Sequence, residues 1–313
     1  MTLEIGQFSK SHLEAAARLV SLRYERLREQ TPLLPKRYAE IETLSSLLNN
    51  LIESGRGVVA LENGKLMGFL AAWQLVSFRG KRSVFSPEWA NAVSEPNGRR
   101  VYETMYSCLA ADWRADGYNS HLISLFANRH YDLECWQWLG FGPIAADAIR
   151  GLNSIQGSHC QVEIKQASLR DIEAVMALDD ALRRHIASSP IFLTNDKRPE
   201  RIYYEDWLQN PQKAIWLGCL GDAPIAFLRI GPANTDACTI IYADKTASIT
   251  GAFTQVDVRG AGIATALLNH ALEWARAQGY ERCAVDFEPM NYWARRFWLR
   301  YFEPVCYTFI RHV

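Results

Sequence analysis

The amino-acid sequence predicts an α/β protein built from two copies of one design, and three observations carry that expectation. The chain has 313 residues, a length at which a single hydrophobic core stops growing and two domains of ordinary size become the simpler division. Apolar residues make up 49% of it, enough for each half to bury an interior and an argument against disorder. The chain also repeats itself weakly, at an offset of about 158 to 162 positions, and an internal repeat changes the whole reading of a fold.

The repeat can be followed element by element. Ser11-His-Leu-Glu-Ala-Ala-Ala-Arg-Leu19 resembles Arg170-Asp-Ile-Glu-Ala-Val-Met-Ala-Leu178, each an amphipathic helix opening behind a polar residue. Val58 to Leu70 and Ile215 to Leu228 each place a polar, glycine-containing turn between two apolar runs, the pattern of a β-hairpin. Asp112-Trp-Arg-Ala-Asp-Gly-Tyr118 parallels Glu273-Trp-Ala-Arg-Ala-Gln-Gly-Tyr280, a helix end with glycine at the left-handed cap. Trp136-Gln-Trp-Leu-Gly-Phe-Gly-Pro143 parallels Trp298-Leu-Arg-Tyr-Phe-Glu-Pro304, one residue shorter. Four matches in one order read as a tandem duplication. The Gly/Ser/Asn-rich stretch Gly151-Leu-Asn-Ser-Ile-Gln-Gly-Ser158 marks the boundary, which gives a first domain over 1–150, a linker over 151–160 and a second domain over 161–313.

Bulk charge narrows the partners. Lys plus Arg and Asp plus Glu are equal at 34 each, so no global field draws the chain to nucleic acid or to an acidic membrane, and neither is expected as a partner. Arg99-Arg100 and Arg79-Gly-Lys-Arg82 are locally basic and read as a solvated face. The seven cysteines form no CxxC pair, and His159, His185 and His270 show no ligand spacing. Neither a metal site nor a disulfide framework is indicated; free thiols in a reducing compartment are expected. The N-terminal residues lack the apolar run of a signal peptide, and no stretch approaches the roughly 20 apolar residues of a membrane span. The expectation is a soluble cytoplasmic protein, monomer or homodimer.

The chemistry concentrates in the second copy. Ser248-Ile-Thr-Gly-Ala-Phe-Thr-Gln-Val-Asp-Val258 is rich in β-branched and aromatic residues and reads as a strand. It runs into Arg259-Gly-Ala-Gly-Ile-Ala264, after which Ile263, Leu267, Leu268, Ala271, Trp274 and Ala275 recur at helical spacing. A strand, a glycine loop and a helix in that order can cradle an anion. The first-turn N–H groups have no intrahelical partner, the helix dipole adds positive charge, and a diphosphate sits on them when no side chains intervene. Gly260, Gly262 and Ala264 keep the approach open, and Arg259 could add charge-assisted hydrogen bonds. Two glycines after a strand serve equally as a plain tight turn. A dinucleotide fold is a rival, but its GxGxxG spacing is absent.

The loop and the segments downstream of it make the resemblance specific. Arg259-Gly-Ala-Gly-Ile-Ala264 resembles the R/Q-x-x-G-x-G/A acetyl-CoA motif of the GNAT acetyltransferase superfamily. Cys283-Ala-Val-Asp-Phe287 reads as the next strand, and Asn291-Tyr-Trp-Ala-Arg-Arg-Phe-Trp298 resembles that family's N-x-x-A-x-x-F/L-Y/W helix. The likeness is at motif level over 246–304. The first copy resembles the fold without the site: Pro96-Asn-Gly-Arg-Arg-Val-Tyr-Glu103 stands where the loop should fall, with Val101 and Glu103 at the small-residue positions. The resemblance therefore implies two tandem GNAT-like domains, each a mixed, mostly antiparallel twisted sheet flanked by helices, the first degenerate.

It also implies roles. Val256 and Val258 would offer backbone groups to the pantetheine arm of acetyl-CoA, and Arg259, Gly260, Ala261, Gly262, Ile263 and Ala264 would hold its diphosphate. Asn291 would contact the arm, or serve as an N-cap. A neutral amine would attack the thioester directly, which requires a deprotonated nucleophile, a stabilised carbonyl oxygen and close approach. The family often uses a Tyr to protonate the leaving thiolate; Trp298 stands at that position and cannot. Glu288, just past the strand, is the candidate general base or an exposed loop carboxylate, and Asp286 is a second candidate. Tyr292 and Tyr301 lie nearby without a register that favours either. Arg295 and Arg296 could reach a phosphate or face solvent, and the Trp pairs read as packing.

Three functions stay open at this stage. The first is acetyl-CoA-dependent N-acetylation of the primary amine of a small molecule. A non-catalytic acyl-CoA sensor or interaction module is the second, and transfer of an aminoacyl or longer acyl group the third. Acceptor specificity in this family lies in variable loops, here 28–55 and 186–211.

Overall fold

The computed structural model describes residues 3–94, 98–156, 160–193, 198–233 and 238–313. The chain forms two compact units. Met1–Asp147, Cys238–Ile240 and Pro304–Val313 make the first; Ala148–Ala237 and Ile241–Glu303 make the second. The units are not contiguous in sequence.

In the first unit the elements run in the order β1 (Glu4–Gln7), α1 (Leu13–Gln30), α2 (Ile41–Ser54), β2 (Gly55–Glu62), β3 (Lys65–Phe78), β4 (Lys81–Ser86), β5 (Asn91–Val93), α3 (Gly98–Ala115), β6 (Ser120–Phe126), α4 (His130–Trp138) and β7 (Gly142–Gly151). The Asn63-Gly64 turn between β2 and β3 has positive φ at both residues, 50° and 73°, the backbone that closes a tight hairpin with the right twist. Strands β1 to β4 pair antiparallel in order, β5 adds to β3, and β4 runs parallel to β6 with α3 as the crossover that a parallel pair requires. α3 buries Val101, Tyr102, Met105, Tyr106 and Leu109, spaced as one helical face. These meet Trp136, Phe141 and the inward side chains of β2, β3 and β6 in one core.

The second unit repeats the order with β8 (Glu163–Gln166), α5 (Ile172–Ala187), α6 (Arg201–Gln209), β9 (Ala214–Leu220), β10 (Ala223–Pro232), β11 (Thr246–Thr254), α7 (Ile263–Ala277), β12 (Arg282–Phe287), α8 (Tyr292–Tyr301) and β13 (Glu303–His312). Strands β8 to β11 pair antiparallel, and β11 runs parallel to β12 across α7. Both sheets are thus mixed and mostly antiparallel, flanked by helices, as the sequence leads one to expect. The caps expected at Gly117 and Gly279 are present, with φ of 81° and 84°, a region costly for any side chain with a Cβ.

The last strand departs from the contiguous division. β13 pairs antiparallel with β6, from Cys306 opposite Phe126 to His312 opposite Ser120, so Pro304–Val313 belongs to the first unit. The end of β7 from Ala148 falls in the second unit. The expected linker is also anchored where it is described. Leu152 O accepts from Arg276 at 2.6 Å, and the Ile155 N–H donates to Asn269 at 2.8 Å, both on α7; residues 157–159 lie outside the described residues. Among the described residues no helix is long and apolar enough to cross a membrane.

Candidate active site

The site begins where β11 loses a neighbour. β11 and β12 are in register from Thr246–Arg282 to Ile249–Val285 and then part, while β11 stays paired with β10 as far as Thr254. The β10–β11 register shifts between Arg229 and Ile230, which leaves Thr250 as an extra residue on β11. Such a bulge bends a strand and re-aims the residues beyond it. Backbone groups of β11 that turn away from β10 beyond Ile249 therefore meet no strand, and a gap opens between β11 and β12.

The strand is shorter than the sequence suggests. It ends at Thr254, and Val256–Val258 form a 3-10 turn instead. The Val258 N–H donates to Gln255 O and the Arg259 N–H to Val256 O, each at 3.2 Å. With no partner strand left, the backbone satisfies itself locally. Val256 is mostly exposed and does not line the gap, whereas Val258 does. The strand groups that border it are those of Ala252, Phe253 and Thr254.

Next comes the glycine loop. Gly260 and Gly262 adopt φ of 84° and 80°; Gly262 is the N-cap of α7 and supplies no capping side chain. A Cβ at Gly260 would meet nothing within 4 Å, so the glycine answers to backbone conformation and not to crowding by the protein. The Ala266 N–H reaches Gly262 O at 3.0 Å, while the N–H groups of Ile263, Ala264 and Thr265 precede the first intrahelical bond. Ile263 is buried in the core and Ala264 borders the opening. Ala261 is exposed and does not line it.

These elements enclose a cleft of about 470 Å³ within the second unit, walled by α5, β10, β11, the glycine loop, α7 and α8. Phe227, Phe253, Phe297 and Trp298 give it an apolar side. Arg259, Arg296 and Arg300 are its only charged lining residues among those described, and none is a carboxylate. An apolar, basic cleft against an uncapped helix start suits a ligand with an apolar arm and an anionic end. The Arg259 side chain is held in place: its Nε donates to Thr254 O at 3.1 Å, and its guanidinium lies over the rings of Phe253 and Trp293.

Asn291 caps a helix and borders the cleft. Its Oδ1 accepts from the Ala294 N–H at 3.3 Å as the N-cap of α8, and the residue lines the cleft. Glu288, by contrast, is not brought there. It is half-buried outside the lining, and its carbonyl accepts from the Asn291 N–H at 3.0 Å.

The titratable group that does reach the cleft is His185, in the last turn of α5. Its ring lies 6.2 Å from that of Phe253. Burial holds its pKa below the usual histidine value, the charge of Arg259 adds to that, and a hydrogen bond with Asn291 opposes both. The imidazole is therefore neutral at pH 7 and able to accept a proton. Tyr301 also lines the cleft, with its hydroxyl 3.1 Å from that of Thr265 in the first turn of α7. Sequence reasoning passed over His185 because it sought metal-ligand spacing. Arg300 it missed altogether, although the position lies i+4 from Arg296 on the same helix.

A parted parallel pair of strands, a glycine-capped helix at the parting and an arginine-lined cleft together make up the candidate site. Residues 180–302 match the Acetyltransferase (GNAT) family model, a stretch that falls almost wholly in the second unit. Two solved structures share the fold over 99% of this chain. One is a GCN5-related N-acetyltransferase from Sphaerobacter thermophilus, with TM-score 0.59 and 12% identity, of which this chain covers 95%. The other is the glucosamine N-acetyltransferase region of a fungal multi-domain beta-N-acetylglucosaminidase, with TM-score 0.55 and 13% identity; this chain spans only 38% of that one. At such identities the likeness is one of fold. No curated protein matches the sequence.

Proposed function

We propose that the cleft binds acetyl-CoA and that the chain transfers the acetyl group to the primary amine of a small molecule. The observation that carries this reading is the parting of β11 from β12 beside a helix start with no capping side chain, with only basic charge around it. The free N–H groups of Ile263, Ala264 and Thr265 would receive the diphosphate, with Arg296 and Arg300 as further phosphate partners. The unpaired edge of β11 and the side chain of Asn291 would hold the pantetheine arm.

Acetyl-CoA supplies an activated thioester carbonyl. His185 takes the proton from the attacking nitrogen as the new C–N bond forms and the C–S bond breaks, then returns it to the leaving sulfur. One residue thus serves as base and acid, which accommodates Trp298 at the place where the family often has Tyr. Amine acceptors would enter past α5 and the neighbouring 186–211 stretch, of which 194–197 lie outside the described residues.

Calorimetric titration of acetyl-CoA into wild-type protein, followed by thiol release across a panel of amines, tests the reading in two stages. Binding with turnover supports it. Binding without turnover on any amine would favour the non-catalytic acyl-CoA sensor, for which Trp298 is the specific argument, and absence of binding removes both.

A further inference from the structure

The first unit holds a side-chain cluster that acyl transfer leaves unused. Glu88 in the turn between β4 and β5, Cys238, and Cys306 on β13 each offer one donor atom, and these atoms lie within 4.8 Å of one another. All three residues are buried, with Glu88 at 2% exposure. Oε1 of Glu88 accepts from the Ile240 N–H at 3.0 Å, but its Oε2 is shut off from solvent without any hydrogen-bond partner. A carboxylate oxygen left unmet at such depth is costly, and neighbouring thiols are only weak donors.

We propose that Glu88, Cys238 and Cys306 form a structural binding site for a thiophilic divalent cation of the zinc type. Two thiolates select soft or borderline ions over magnesium and calcium, which take oxygen donors. Around a tetrahedral zinc, with Zn–S of about 2.3 Å and Zn–O of about 2.0 Å, donors stand roughly 3.5–4 Å apart, so the observed cluster needs only a small contraction. Both thiol protons leave to solvent as the metal binds. Asp147 supplies the outer support: its Oδ1 accepts from the Cys238 N–H at 3.1 Å and fixes that residue's backbone. The ion would clamp three segments far apart in sequence and lock the C-terminal strand β13 into the first unit.

The test uses the full chain, produced with zinc in the medium and freed of loose metal by gel filtration. Plasma mass spectrometry is expected to find about one zinc per chain. Protein stripped with chelator and titrated with Co²⁺ is expected to develop thiolate-to-metal charge-transfer absorption. Glu88→Gln and Cys306→Ser should each weaken Zn²⁺ binding more than about 100-fold, the upper end of what losing an outer-shell partner costs. Cys283→Ser, a buried thiol of the second unit, should leave it unchanged. Because a variant can fail to fold, the wild type also decides alone. Folded wild type with neither bound metal nor a Co²⁺ charge-transfer band overturns the proposal, as does a Cys238–Cys306 disulfide found by peptide mass mapping.

Discussion

The two units open the same gap and treat it differently. In each, a strand runs beside its parallel neighbour for four registered pairs, Ser83–Ser120 to Ser86–Ile123 in the first and Thr246–Arg282 to Ile249–Val285 in the second, and then leaves it. In the second unit the space beyond is the arginine-lined cleft. In the first it is filled. Asn91 Nδ2 donates to Pro87 O at 3.0 Å and to Ser124 O at 3.1 Å, stitching β5 to β6. Arg23 donates to the Tyr102 hydroxyl at 3.1 Å and to Val93 O at 2.8 Å, and pairs with Asp132 at 3.1 Å, both charged groups being buried. The offset of 159 that aligns Ser11 with Arg170 sets Arg23 against Leu182, a residue of the cleft wall. The fold supplies the gap; a handful of side chains decides whether it is a site or a core.

Substitutions can break this comparison. The largest effect is expected from Gly262→Glu, which puts a carboxylate where phosphate would sit and forces a side chain into a left-handed backbone at a cost of about 1–2 kcal/mol. Acetyl-CoA binding should vanish in calorimetry while the melting curve stays cooperative; retained binding would move the ligand elsewhere. Next is Arg23→Ala in the first unit, which leaves Asp132 buried beside Arg129 alone and should cost about 3–5 kcal/mol in denaturant unfolding. Acetyl-CoA affinity at the remaining folded population should not change.

His185→Asn sharpens the chemical half of the contrast. kcat should fall about 10²-fold or more with acetyl-CoA affinity little altered. In the wild type, kcat/KM expressed per unprotonated amine should be flat at neutral pH and decline as acid protonates His185, below the ordinary histidine range because its pKa is lowered. A profile that ignores this group, or an unimpaired variant, would assign the proton to another acceptor. The smallest effect is expected at Glu103→Ala. It removes the acidic residue at the position matching the cofactor loop, yet acetyl-CoA stoichiometry should stay at one site per chain, because Asn91, Tyr102 and Arg23 still fill the gap. A second site would show that charge alone had closed it.

Much of the fold is legible in the residues because its signals are local. The Asn63-Gly64 turn, the caps at Gly117 and Gly279, and the 3.6-residue spacing after Gly262 act over a few positions, and each appears where expected. The glycine loop is legible for the same reason. Its matching stretch in the first copy is less so, since 95–97 lie outside the described residues and only α3 from Gly98 onward is described. Glu288 follows β12 in sequence as a base should, yet it lies outside the cleft lining, with its carbonyl accepting from the Asn291 N–H. His185 sits over a hundred residues from Asn291 in sequence, so no spacing could announce it.

The sequence by itself determined the glycine loop at the start of α7 and which helix faces are apolar, because propensity and periodicity are properties of neighbouring residues. Tertiary structure decided the rest. Completing the first unit with β13 depends on pairing between distant segments. The neutral imidazole of His185 depends on burial against Phe253 and on the charge of Arg259. The cluster of Glu88, Cys238 and Cys306 has no motif at all, since three segments must fold together before a carboxylate and two thiols share a space of a few ångströms.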